Sequence, residues 1–178
     1  MRPLASPIVE YRLMGLVQIA LGCALAVVAV IVEGLADAAV VVVFEAAFFG
    51  TVIYLICYRR FARRVVADPP PAPVDEREDS AATARRVVLT NTALGLSFVV
   101  IAVATVPSVV AGVSLGNGAA CLRVCRLWRR WEQEHGRALL REPRWRFSAA
   151  GRRGWGRGRG MLDPQDFYAG ETARPDGA

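Results

Sequence analysis

The chain has 178 residues, 54% of them hydrophobic, with a mean hydropathy of +0.33, yet it carries a formal charge of +6 and a pI near 9.8. Such apolarity and basicity coexist by occupying separate stretches, which excludes an evenly mixed soluble surface and points to a bilayer. All 22 basic residues are arginine; GC-rich codon bias explains this better than selection for bidentate phosphate contacts, because helix ends and tail alike lack lysine.

A spanning helix needs roughly 20 apolar residues. Two blocks reach that length, Leu13–Tyr58 and Val87–Leu122, each followed at once by arginine. Residues 1–12 form a short leading segment. Leu13–Val32 supplies a first span, Glu33–Asp37 a polar turn, and Ala38–Tyr58 a second span. Ala24-Leu25-Ala26 resembles a signal-peptide cleavage site, but apolarity runs on to Val32 behind a long leader, which favours a retained anchor. Residues 59–86 read as a linker. Asp68–Pro73 favours extended polyproline geometry, and Val74–Ser80 is acidic and too poor in apolar residues to bury a core. Asp79 or Ser80 is suited to cap a helix leading onward. Val87–Ala104 and Val109–Leu122 give a third and a fourth span around Thr105–Ser108, where Pro107 lacks an amide hydrogen. The fourth is short, and it continues past Arg123 and Arg126 with those side chains snorkelling toward phosphate.

Arginine placement sets the orientation. Seven fall within residues 59–86, twelve within residues 123–159, and none in the two short turns, so the positive-inside bias puts both termini in the cytoplasm of a cell whose inner membrane the chain crosses four times. The fold class is therefore all-α, with four transmembrane helices arranged as two hairpins. Gln18–Gly22 resembles Asn91–Gly95, and Tyr58-Arg59-Arg60-Phe61 resembles Trp128-Arg129-Arg130-Trp131, so the hairpins read as a tandem repeat.

The last third is basic and then acidic. Residues 123–147 are expected to form an amphipathic juxtamembrane helix reaching Leu140, with Leu122, Cys125, Trp128, Trp131, Ala138 and Leu139 near one face. Residues 148–178 follow as a flexible tail. Twelve arginines between Arg123 and Gly160 face only Glu132, Glu134 and Glu142, so the segment favours anionic lipid at about 1 kcal/mol per basic residue. Gly154–Gly160 resembles the arginine-glycine segments of RNA-binding proteins, yet it is short and tethered, and lipid is favoured over nucleic acid. Asp163-Pro164 begins a short turn in which Phe167 and Tyr168 form an exposed aromatic pair, either a docking motif for a cytoplasmic partner or a segment folding back on the arginines.

The candidate sites are few. Glu45 lies roughly 10 Å below the outer boundary of the second span, with Ser97 and Asn117 at similar depth, and the three are the residues that would serve a proton or cation site. Interhelical hydrogen bonding is the plainer role, since one carboxylate underdetermines a transport path. Gly112, Gly116 and Ala120 form a small-residue ridge that lets another helix approach closely, and Ala46 with Gly50 makes a shorter one. Arg59, Arg60, Arg63, Arg64, Trp128, Arg129, Arg130 and Trp131 are expected at lipid headgroups. Gly112-Val-Ser-Leu-Gly116 matches a nucleophile elbow but sits in an apolar span, with the one histidine, His135, in the tail. Cys57, Cys121 and Cys125 lack the spacing of a zinc site. No cofactor, metal or enzymatic activity is expected. The leading function is a membrane interaction or assembly subunit, with anionic lipids, a homodimer or another membrane protein, and a cytoplasmic protein as partners; the alternative is a small oligomeric channel or transporter.

Overall fold

A computed structural model describes residues 4–67, 69–72, 79, 81–89, 106–141 and 167–171. They are mostly helical. Helix α1 spans Pro7–Glu33; α2 spans Leu35–Val52 and continues through a π-helical segment, Ile53–Tyr58, into α3, Arg59–Ala67. Residues 81–89 form α4, and Pro107–His135 form α5. Strands β1, Arg137–Arg141, and β2, Phe167–Glu171, pair antiparallel. Three helical stretches, α1, the α2–α3 rod and α5, are long and apolar enough to cross a membrane.

Helix α1 begins six residues before the apolar block. The Ser6 hydroxyl accepts from the Val9 amide at 3.5 Å, Pro7 occupies the first turn, and Glu10 lies near the positive end of the helix dipole. The expected polar turn shrinks to one residue. Gly34, at φ 93°, is all that separates α1 from α2, in backbone space that L side chains rarely adopt. Opposite it, the Glu33 carboxylate accepts the Ser108 amide at 3.2 Å, capping α5 from another helix.

Helix α5 is central. Val42 of α2, Leu25 of α1 and Ala111 of α5 share a small apolar core, and the three helices touch elsewhere through glycine. A Cβ on Gly116 would meet the Gly50 nitrogen at 2.6 Å and the Ala46 carbonyl oxygen at 2.8 Å, while one on Gly118 would meet the Gly15 carbonyl oxygen at 2.8 Å. Such backbone-to-backbone contact requires small residues on both partners. Away from these seams the helices are apolar and open, with Ile31, Leu35, Val40, Val43, Phe44 and Ile56 all exposed.

The π-helical segment has a packing reason. Counted at 3.6 residues per turn, Tyr58, Phe61, Ala62 and Val65 would lie about 110° round from the Val42–Gly50 face; the extra residue of a π turn removes about 100° of this. One continuous face therefore serves both ends of the rod, and all four residues are buried.

The helical architecture fits an all-α membrane protein, and beneath the helices sits a cap that adds one small two-stranded sheet. α5 stops at Gly136, whose φ of 61° and amide hydrogen bond donated to the Glu132 carbonyl make a left-handed terminus. Ala138 and Leu139, expected on a helix, lie in β1, where the Leu139 amide donates to Glu132 Oε1 at 2.7 Å. Phe167 and Tyr168, expected in an exposed turn of a flexible tail, lie in β2, with Leu139 opposite Ala169 and Arg141 opposite Phe167. Two further pieces extend the pair. Ala5 exchanges both backbone bonds with Arg141, each at 2.8 Å, while the Ala169 amide donates to the Pro70 carbonyl and the Ala72 amide to that of Ala169. The linker thus contributes residues 70–72 to the sheet. Asp79 Oδ1 accepts the Ala81 amide at 3.3 Å at the start of α4. Residues 90–105, holding most of the expected third span and one copy of the repeat, lie outside the described residues.

Candidate functional site

The two aromatic–arginine–arginine–aromatic blocks meet in the cap. On a helix, positions i and i+3 share a face while i+1 and i+2 turn away. Tyr58, Phe61, Trp128 and Trp131 are accordingly buried, and Arg59, Arg60, Arg129 and Arg130 are exposed. Trp128, expected at headgroup level, is fully enclosed and forms the hub of a ring cluster: Tyr11 at 5.0 Å, Phe61 at 6.1 Å and Phe167 at 5.5 Å between centroids. Its indole nitrogen donates to the Ala62 carbonyl at 3.4 Å. Trp131 is covered as well, because the cap folds against α5 where an isolated amphipathic helix would have met lipid.

The arginines that remain outside form a band. Arg63 and Arg64 on α3, and Arg123 and Arg126 on α5, join the four of the two blocks in facing solvent or lipid. Arg130 pairs with Glu134 at 2.7 Å, both largely exposed, an i,i+4 bridge worth about 0.3–0.5 kcal/mol. Arg123 lies over the Tyr54 ring, 5.6 Å from its centroid.

A second set of charges is buried. Glu10 of α1 holds Arg86 of α4 at 2.5 Å through one carboxylate oxygen and faces Arg141 of β1 at 3.7 Å through the other. Arg141 also stacks over Phe167, 5.3 Å from its centroid. Three elements distant in sequence are thus tied through one carboxylate. Glu10 stands before the apolar block, so periodicity offered no signal for it; an acid one turn after Ser-Pro was the one local hint.

Of the membrane-level candidates, Glu45 and Asn117 are described and lie on different helices. Glu45 is half-buried on α2, where a Cβ on Gly112 would meet its own Cβ at 2.5 Å. Asn117 follows Gly116 by one residue, about 100° round α5 from the ridge that meets α2, and among the described residues no hydrogen bond joins it to Glu45. Ser97 lies outside the described residues. Ala46 and Gly50 face Gly112 and Gly116, and Ala120 is fully buried in the cluster that contains Trp128.

Ser114 is buried on α5, about 30 Å along that helix from His135. Cys121 and Cys125 are buried with their thiols directed at the Tyr58 hydroxyl and the Ile8 carbonyl, and Cys23 stands apart and exposed. Among the described residues no cluster of histidine, cysteine and carboxylate side chains is arranged to hold a metal. Comparison with protein-family models, with curated proteins and with solved structures finds no match for the chain.

Proposed function

We propose that this protein is a non-enzymatic membrane interaction or assembly subunit, crossing an inner membrane four times as two hairpins, with its basic end and both termini in the cytoplasm. One observation carries the reading. The cap buries the aromatic residues of both repeated blocks and leaves their arginines exposed, directly below helices that offer apolar side chains outward. A folded cap with an outward band of guanidinium groups suits anionic headgroups, and it gives a cytoplasmic partner or a second copy a rigid basic surface.

The test is lipid retention. Full-length protein released from nanodiscs of mixed phosphatidylglycerol and phosphatidylcholine should carry phosphatidylglycerol preferentially in native mass spectra. Replacing Arg59, Arg60, Arg63 and Arg64 together by glutamine should abolish most of that preference. Equal retention of both lipids by the wild type would sink the proposal.

A second reading, a small oligomeric channel or transporter for protons or monovalent cations, rests on Glu45 as an ionisable group half-buried in an apolar helix. Proteoliposomes with wild type and Glu45→Gln distinguish the two: flux lost in the variant supports transport, and no flux in either leaves the subunit reading.

A further inference from the structure

We propose that the mouth of the α2/α5 seam is a discrete binding site for the phosphate of an anionic phospholipid, with Arg123 as its ligand and Tyr54 as the residue that positions it. The inference rests on the membrane reading above and narrows its diffuse band of arginines to one defined position.

The seam dictates where Arg123 falls. Gly112, Gly116 and Arg123 lie within about 40° of one another round α5, so all three look toward α2. At Gly116 the helices are in backbone contact with Gly50, and neither side has room for a side chain. Beyond this contact, where α2 passes into the π-helical segment, the seam admits the Tyr54 ring beneath the Arg123 guanidinium, at 5.6 Å. Arg123 nevertheless remains exposed. The guanidinium thus stands over the ring while the residue stays open to its surroundings.

Depth makes a phosphate the matching ligand. Arg123 stands sixteen residues after Pro107, about 24 Å along α5, and Tyr54 nineteen residues after Leu35, about 28 Å along its own helix. In a hydrocarbon core about 30 Å thick, both lie at the last turn before the headgroups. Leu55 and Ile56, the neighbours of Tyr54, are exposed and apolar, and Arg59 and Arg60 follow one turn later. An arginine at this border is drawn toward the interface, where a phosphate counter-charge is available. No carboxylate among the described residues pairs with it. Snorkelling brings its planar fork to the phosphate of a lipid lying against Leu55 and Ile56, a geometry that donates to two phosphate oxygens at once. The Tyr54 face holds the fork in place before lipid arrives, which lowers the ordering cost of binding.

The experiment uses full-length protein in nanodiscs of equal phosphatidylglycerol and phosphatidylcholine, with native mass spectrometry of retained lipid and intrinsic fluorescence to establish that each variant is folded. Arg123→Gln should lower occupancy of the most tightly held phosphatidylglycerol about fivefold, the equivalent of ~1 kcal/mol for a basic residue at an anionic surface. Arg126→Gln, one turn along and equally exposed, should change it less than about twofold. Tyr54→Phe keeps the ring and should behave as wild type, whereas Tyr54→Leu should fall toward Arg123→Gln. Millimolar inorganic phosphate should fail to displace the lipid; displacement would mean that the site reads a free anion and would overturn the lipid assignment. Equal losses in Arg123→Gln and Arg126→Gln, or none in Arg123→Gln, would overturn the site while leaving the wild-type preference for anionic lipid intact. Absence of that preference in the wild type would remove the underlying reading as well.

Discussion

Two ion pairs at the basic end of the molecule have similar lengths and very different consequences. Arg130 and Glu134 are both exposed, so water screens the attraction and either partner is replaceable at little cost. Glu10 is 14% exposed and serves both Arg86 and Arg141, which are 6% and 12% exposed. Removing its charge leaves two guanidinium groups enclosed without that carboxylate, and the loss of one partner from a buried pair costs about 3–5 kcal/mol. Glu10→Gln should therefore lower the thermal midpoint of the detergent-solubilised protein strongly, and Glu134→Gln should leave it almost unchanged. Similar midpoints for the two variants would show that the buried network adds nothing beyond a surface bridge. Glu10→Leu separates charge from packing: it should be at least as harmful as Glu10→Gln, because it also removes the hydrogen-bond acceptors.

At the scale of elements, the π-helical segment sets the phase between the two ends of the α2–α3 rod. It holds one residue more than an α-helix needs between the Val42–Gly50 face and the Tyr58–Val65 face. Deleting Ile56, which is exposed, should convert the segment to ordinary α-helix and preserve the cap. Inserting one alanine after Gly50 should rotate Phe61 and Val65 away by about 100° and open the aromatic cluster. Tryptophan emission reads the difference: near wild-type for the deletion, shifted to longer wavelength for the insertion. The reverse pattern would mean that the π turn is imposed by something other than phase. The same element marks a limit of sequence reading. Apolar blocks of spanning length announced α1, the upper part of the α2–α3 rod and α5, because length and composition suffice for that. The phase correction within the rod is set by what Phe61 and Val65 must reach on α5, and no local residue encodes it. The extension of α1 to Pro7 is carried by Ser6-Pro7, a local start signal that lies outside the apolar block. Arg137–Arg141 is five residues of unremarkable propensity that pair with a strand 30 positions away, and non-local pairing leaves no trace in local periodicity.

For the whole molecule, the cap closes what the helices leave open. Its sheet takes residues 4–5 from before α1, residues 70–72 from after α3, β1 from after α5, and β2 from near the chain's end. Residues 4–5 precede α1, residues 70–72 follow α3 and β1 follows α5, while β2 pairs with both β1 and residues 70–72, so the sheet ties together the ends of three helices that meet elsewhere through glycine. Among the described residues β2 adjoins no helix in sequence. Its hold depends on backbone pairing on both edges and on Phe167, which is fully buried against Trp128 and Phe61. Phe167→Ala should cost about 3–5 kcal/mol at that site, yet the apolar seams above it should persist, since the nearest neighbours of Gly50, Gly112, Gly116 and Gly118 belong to α1, α2 and α5. Native-state hydrogen exchange should then find the amides of β1 and residues 70–72 freed together, while those near Gly116 keep their protection. Loss of protection along the whole of α5 would mean that the cap and the membrane helices are one cooperative unit. No change in β1 would mean that β2 adds a covering without clamping the sheet. The distinction matters for the proposed role, because the exposed arginines are fixed relative to the bilayer only as firmly as the cap that carries them.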